Sequence, residues 1–202
     1  SCRNKRYNSM VSARYVACAA TAVGCVRTNN EDAFQIDEAG GLFLLADGMG
    51  GARAGERASH LAVRTVSDFL NQASDPRAAG TLKSSFEAAN HAVRSAAMAD
   101  PMLRGMGTTL VAALDCGDHL SIASVGDSRC YRHRNGALEQ VTEDQTWVQE
   151  VGRNLGLEPE TLRTHPMRHV LTMAIGADVE LRVLEYRLRL EPDEEVLLCS
   201  DG

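Results

Sequence analysis

The sequence predicts an α+β fold built on antiparallel sheets. Its strand-like segments come in runs, two helix-like segments sit side by side between those runs, and an Asn135-Gly136 hairpin signal joins two later strands. Runs of this kind favour antiparallel pairing, whereas a doubly wound nucleotide fold requires strand and helix to alternate. With 202 residues the chain reads as one domain, long enough to bury a core without disulfides or a structural metal.

Each element has its own signal. Residues 15–24 are small, apolar and β-compatible, and residues 33–37 form a second short strand. Leu42 to Ala46 is a continuous apolar run ending at Asp47-Gly48-Met49-Gly50-Gly51, a pattern that suits a strand buried on both faces. A helix over 56–70 places Ala58, Leu61, Ala62, Val66, Phe69 and Leu70 on one side, the stripe of a helix that packs on a core. Asp75-Pro76 breaks the chain, and a second helix carries Leu82, Phe86, Ala89, Val93 and Ala97 at three- and four-residue steps. Strands follow over 108–114, 120–125, 129–134 and 137–141. Residues 143–177, with Pro159 and Pro166, read as an insert over one end of the sheet, before strands over 181–190 and 195–200.

Composition narrows the function. A net charge of −6 argues against nucleic-acid or anionic-membrane partners, which need a positive footprint. It leaves anionic substrates open, because bound cations reverse the sign of a local site. Cys2, Cys18, Cys25, Cys116, Cys130 and Cys199 include no C-x-x-C pair, so they read as small buried residues of a reducing cytosol. No apolar run reaches the ~18–20 residues of a membrane span. Residues 1–12 read as a disordered tail or cloning scar, with the domain over 13–202.

Four acidic positions share one local pattern. Glu31-Asp32, Asp47-Gly48, Asp127-Ser128 and Asp201-Gly202 each adjoin an apolar run and a small or polar residue. A strand-end aspartate projects at a sheet rim, and a following glycine lets backbone approach closely and offers its carbonyl. All-oxygen ligation selects magnesium or manganese over zinc. Asp-Gly is equally a common turn dipeptide, so the pattern alone leaves a metal centre and a set of turns both standing.

The flanking residues resemble the metal-dependent protein phosphatases of the protein phosphatase 2C family. Gly24 to Ala33 resembles the first family signature, Leu45 to Gly51 the second, and Ala54 to Ser59 continues it as in bacterial members. Gly107-Thr108-Thr109, Val125-Gly126-Asp127-Ser128-Arg129, His165 to Thr172 and Leu198-Cys199-Ser200-Asp201-Gly202 match later signatures in order.

That resemblance implies a four-layer α-β-β-α sandwich of two antiparallel sheets flanked by helices, with 143–177 as the flap. It implies a cytoplasmic, monomeric bacterial serine/threonine phosphatase in signalling, acting on phosphorylated proteins made by a cognate kinase. Asp47 is implied to bridge two Mn2+ or Mg2+ ions, with the Gly48 carbonyl on one and Asp201 on the other. Glu31 and Asp32 would hold metal-bound waters, and Asp127 with Asp201 a weaker third ion. Arg27 is implied to grip the substrate phosphate, a task for which its planar fork suits better than a lysine. Asp47, Asp201 and Arg27 are therefore the implied catalytic set, with attack by a metal-activated water and no phosphoenzyme.

Three departures qualify the resemblance. Met49 and Ala52 stand where family members often carry a histidine able to protonate the leaving group, leaving a metal-bound water, His165 or His169 for that task. The sequence also ends at Asp201-Gly202, whereas the family continues through a helix, strands and an Asp-Asn ligand, so C-terminal strands and a helix are expected to be missing. The alternative function is a weak or inactive phosphatase-like regulatory or binding module.

Overall fold

The computed structural model describes residues 14–24, 29–51, 53–177 and 180–201. Arg27, Ala52, Cys2, Cys25 and Gly202 lie outside them. The chain runs through β1 (Asp32–Asp37), β2 (Leu42–Met49), α1 (Ala54–Gln72), α2 (Thr81–Ala99), β3 (Gly107–Thr108), β4 (Leu110–Asp115), β5 (Leu120–Val125), β6 (Arg129–Arg134), β7 (Ala137–Gln140), α3 (Pro159–Thr164), β8 (Leu184–Leu188) and β9 (Glu195–Cys199). The larger sheet has the order β1-β2-β4-β5-β8, with β3 paired to β2; the smaller has the order β7-β6-β9. All these pairings are antiparallel.

Side-chain alternation explains the layering. Leu42, Leu44, Ala46, Leu110, Ala112 and Leu114 face α1 and α2 in one core; Ala58, Ala62, Val66, Phe86, Ala89 and Val93 meet them from the helices. Val111, Ala113, Ile122, Phe43 and Leu45 face the other way and meet Cys130, Val196 and Leu198 of the smaller sheet. The expected α+β sandwich of two antiparallel sheets is present. Among the described residues its long helices lie on one side, so Leu138 and Leu197 of the smaller sheet are exposed.

Several elements differ from the sequence expectation. No strand forms over 15–24 among the described residues. The segment is tethered instead by Tyr15, edge-on to Phe43 with 6.1 Å between ring centroids, and by the Ala17 N–H donating to Glu38 at 2.7 Å. Its small side chains offer little area to bury, so β-compatible chemistry does not suffice. The 42–46 run alternates between buried and half-buried and extends through Asp47, Gly48 and Met49. The 108–114 strand is split at Thr109, whose N–H donates to the Asp47 carbonyl. Of the cysteines, Cys130 is buried, Cys116 and Cys199 half-buried and Cys18 exposed, all with free thiols; Cys18 corrects the expectation of burial because its segment lies on the surface. Asn135 and Gly136 both take positive φ, 51° and 75°, as a tight hairpin turn requires.

Candidate active site

β1 and β2 place two acids opposite each other. Asp32 faces Asp47 in the ladder, beyond the pairs Phe34–Leu45 and Ile36–Phe43. By strand alternation Asp47 shares a face with Phe43 and Leu45, which pack toward the smaller sheet. Asp47 therefore stands at the rim of the space between the sheets, one step past the apolar rows.

The remaining acids reach this rim by crossing or ending strands. Asp127 lies between β5 of the larger sheet and β6 of the smaller, where the chain passes from one sheet to the other. Asp201 follows β9, and the adjacent Ser200 hydroxyl donates to Asp32 Oδ2 at 3.4 Å, joining the end of β9 to the start of β1. Burial pushes the half-buried Asp127 carboxyl up to about 6, and the nearby charges of Asp201 and then Asp144 push in the same direction.

Glu31 and Gly48 sit where β2 meets α1. The Gly48 N–H donates to the Glu31 carbonyl at 3.0 Å, and the Ser59 hydroxyl donates to the same carbonyl at 2.6 Å. A Cβ on Gly48 would lie 2.1 Å from the Gly55 carbonyl oxygen, and one on Gly55 would lie 2.8 Å from Glu31 Oε1. The glycine after Asp47 thus allows backbone-to-backbone approach, and the Glu31 carboxylate rests beside the first turn of α1, where the helix dipole favours negative charge.

The donor set fits a hard divalent cation: it is all oxygen, and Asp127 has two carboxylates as charge neighbours. Among the described residues no three His, Cys, Asp or Glu side chains converge as a ready-made cluster. The implied scheme spreads its ligands, with Asp47, Asp201 and the Gly48 carbonyl on two ions, Asp127 with Asp201 on a third, and Glu31 and Asp32 acting through water. Of the sequence-derived residues, Glu31, Asp32, Asp47, Gly48, Asp127 and Asp201 are described; Arg27 is not.

The candidate histidines divide. His169 Nδ1 lies 3.9 Å from Asp201 Oδ2. His165 stacks on Trp147 with 4.5 Å between ring centroids and an interplanar angle of 14°, and its Nδ1 accepts from the Met167 N–H, which suits a structural role. Sequence reasoning missed Ser200, Thr109 as a partner of Asp47, and Gln145. Thr109 and Ser200 lay within recognised signatures without a role attached; the polar partners of Gln145 are distant in sequence and carry no periodic signal.

Comparison with known proteins bears on the family and the fold. The sequence model described as Protein phosphatase 2C matches residues 26–202. The serine/threonine phosphatase stp of Listeria welshimeri is 36% identical over 186 residues, covering 89% of this chain and 74% of that protein. The serine/threonine protein phosphatase PstP of Mycobacterium tuberculosis is 37% identical over 180 residues, 89% of this chain and 34% of that one. A crystal structure of the M. tuberculosis phosphatase PstP/Ppp superposes with a TM-score of 0.78 at 35% identity, covering 88% of this chain and 74% of that one. The S. agalactiae serine/threonine phosphatase does so with a TM-score of 0.81 at 30% identity, covering 90% and 77%. On the family match and on relatives of this closeness, the chain belongs to the protein phosphatase 2C family.

Proposed function

We propose that the chain is a metal-dependent protein serine/threonine phosphatase. The observation that carries this reading is the pairing of Asp32 with Asp47 at the rim between the sheets, with Ser200 bringing the end of β9 to Asp32. Relatives named serine/threonine phosphatase support it, as does a catalytic domain of the serine/threonine protein phosphatase PstP crystallised with two manganese ions, 35% identical with a TM-score of 0.72.

Asp47, the Gly48 carbonyl and Asp201 would hold two Mn2+ or Mg2+ ions, and Asp127 with Asp201 a third. Such ions supply charge neutralisation at phosphorus and a nucleophilic water at neutral pH. Glu31 and Asp32 would orient waters, and Arg27 would fork onto the phosphoryl oxygens. With His169 beside Asp201, the leaving oxygen would have a proton source next to the metal ligands. Residues 143–177 would serve as the flap that selects among phosphoproteins of a cognate kinase, in a cytoplasmic monomer. No described helix is long and apolar enough to cross a membrane.

The test is turnover of p-nitrophenyl phosphate and a phosphothreonine peptide by the chain, with Mn2+, with Mg2+ and after chelation. Turnover that appears with either ion and disappears on chelation is expected. Divalent binding without any turnover would instead support the regulatory-module reading.

A further inference from the structure

Two consecutive residues grip both ends of the turn that carries Asp127. Gln145 is 1% exposed. Its Oε1 accepts from the Gly126 N–H at 2.8 Å, and its own N–H donates to the Gly126 carbonyl at 2.9 Å. Asp144 holds the other end, accepting from Arg129 Nε at 2.9 and 3.1 Å and from Nη2 at 2.6 Å. Between them Gly126 is held at φ +96°, where a Cβ would lie 2.8 Å from Thr109 Cγ2.

Gln145 also reaches outward from the turn. Its Nε2 donates to the Arg182 carbonyl at 2.8 Å, and its carbonyl accepts from the Thr172 N–H at 2.9 Å. One buried side chain and its backbone thus join the Asp127 turn to the end of the 143–177 segment and to the approach to β8. An apolar residue of similar size could fill the space without the desolvation cost of a buried amide. The four bonds offset that cost only when all three segments are in register.

We infer that Gln145 is a positioning residue: it sets the seat of the Asp127 carboxylate and couples that seat to the placement of the 143–177 segment. The inference rests on the reading of Asp127 as a cation-holding acid. Outer residues that orient metal ligands typically change metal affinity by about 10–100-fold when removed.

The experiment is Mn2+ titration by calorimetry on the whole chain, together with amide hydrogen exchange at Gly126, for the wild type, Gln145→Met and Gln145→Glu. Gln145→Met is expected to weaken the weakest Mn2+ binding event by about tenfold or more, to leave the tighter binding unchanged, and to speed exchange selectively at Gly126. Gln145→Glu keeps an oxygen for the Gly126 N–H but loses the Nε2 donor to the Arg182 carbonyl, so that amide is expected to exchange more slowly than in Gln145→Met and faster than in the wild type. A folded Gln145→Met chain with an unchanged isotherm overturns the inference while the phosphatase reading stands. So does Gly126 exchange in Gln145→Glu as fast as in Gln145→Met, a comparison at a site that retains its acceptor. If the wild-type chain binds no Mn2+, the metal reading itself falls and the inference falls with it.

Discussion

Asp47 and Thr109 exchange two hydrogen bonds: the Asp47 N–H donates to Thr109 Oγ1 at 3.0 Å, and the Thr109 N–H donates to the Asp47 carbonyl at 2.9 Å. Thr109 Oγ1 also lies 2.6 Å from Ser128 Oγ, next to Asp127. A single hydroxyl therefore ties the strand bearing Asp47 to the turn bearing Asp127. Thr109→Val keeps the shape and removes that oxygen, leaving the half-buried Asp47 N–H and the buried Ser128 hydroxyl without this partner. It is expected to cost about 1–3 kcal/mol and to lower Mn2+-dependent turnover, while Thr109→Ser stays near wild type in both. Urea unfolding and initial rates on p-nitrophenyl phosphate check this; loss in Thr109→Ser with Thr109→Val near wild type would point to the methyl group instead.

Asp47→Asn separates metal binding from folding. The strand's backbone hydrogen bonds do not depend on the carboxylate charge, so the chain should fold. A ligand that binds only the native state at ~100 times its Kd raises stability by about 2.7 kcal/mol. The wild type should therefore melt at higher temperature with Mn2+ than with chelator, and Asp47→Asn should show little of that rise. Turnover should fall on the order of 10²-fold, the scale found when one group stabilising reacting charge is removed. Differential scanning calorimetry with and without Mn2+ reads the first effect directly.

Gly48→Ala probes the close approach of β2 and α1. The new Cβ would meet the Gly55 carbonyl at 2.1 Å, a backbone atom that no rotamer change can move aside. Overpacking of this kind typically costs about 1–3 kcal/mol, so the urea midpoint should fall. Glu31 is bonded to Gly48 N–H through its carbonyl, so Mn2+ affinity should fall with it. An unchanged midpoint would show that α1 can shift freely relative to β2.

These relationships mark where sequence reading stops. Apolar periodicity located α1 and α2, because burial on one face leaves a pattern in nearby residues, and bounding turn residues such as Asn135-Gly136 marked off the Leu120–Val125 and Arg129–Arg134 strands. The acids at strand ends were legible for a similar reason: Asp47 and Asp127 each follow an apolar run. Thr109, Gln145 and Ser200 do their work through hydrogen bonds to residues 62, 19 and 168 positions away, and no local period records such a partner. Residues 15–24 failed in the opposite way. Their chemistry permits a strand, but pairing is decided by area buried against other elements, which small side chains hardly supply.

Cys130 provides a pH test independent of the metal. It is fully buried between the sheets. Burial, with a smaller push from the nearby Cys199 thiol, raises its pKa from an ordinary 9.0 to about 12. Because the folded value lies above the unfolded one, the neutral thiol's contribution is fully present below pH ~9 and is lost as pH rises through about 12. At about 1.4 kcal/mol per pH unit, the loss approaches ~4 kcal/mol across that window. Tyr15, Tyr186, Cys116 and Cys199 are also shifted upward, chiefly by burial, so the wild-type curve alone would mix their effects. The difference between wild type and Cys130→Ala isolates the thiol. Near pH 8 the wild type should be the more stable, by roughly 1 kcal/mol of lost packing. That advantage should shrink and then reverse between pH 9 and 12. Urea midpoints at half-unit intervals from pH 7.5 to about 11.5 follow the difference, and a gap that stays constant with pH would show that water reaches Cys130 in the folded chain.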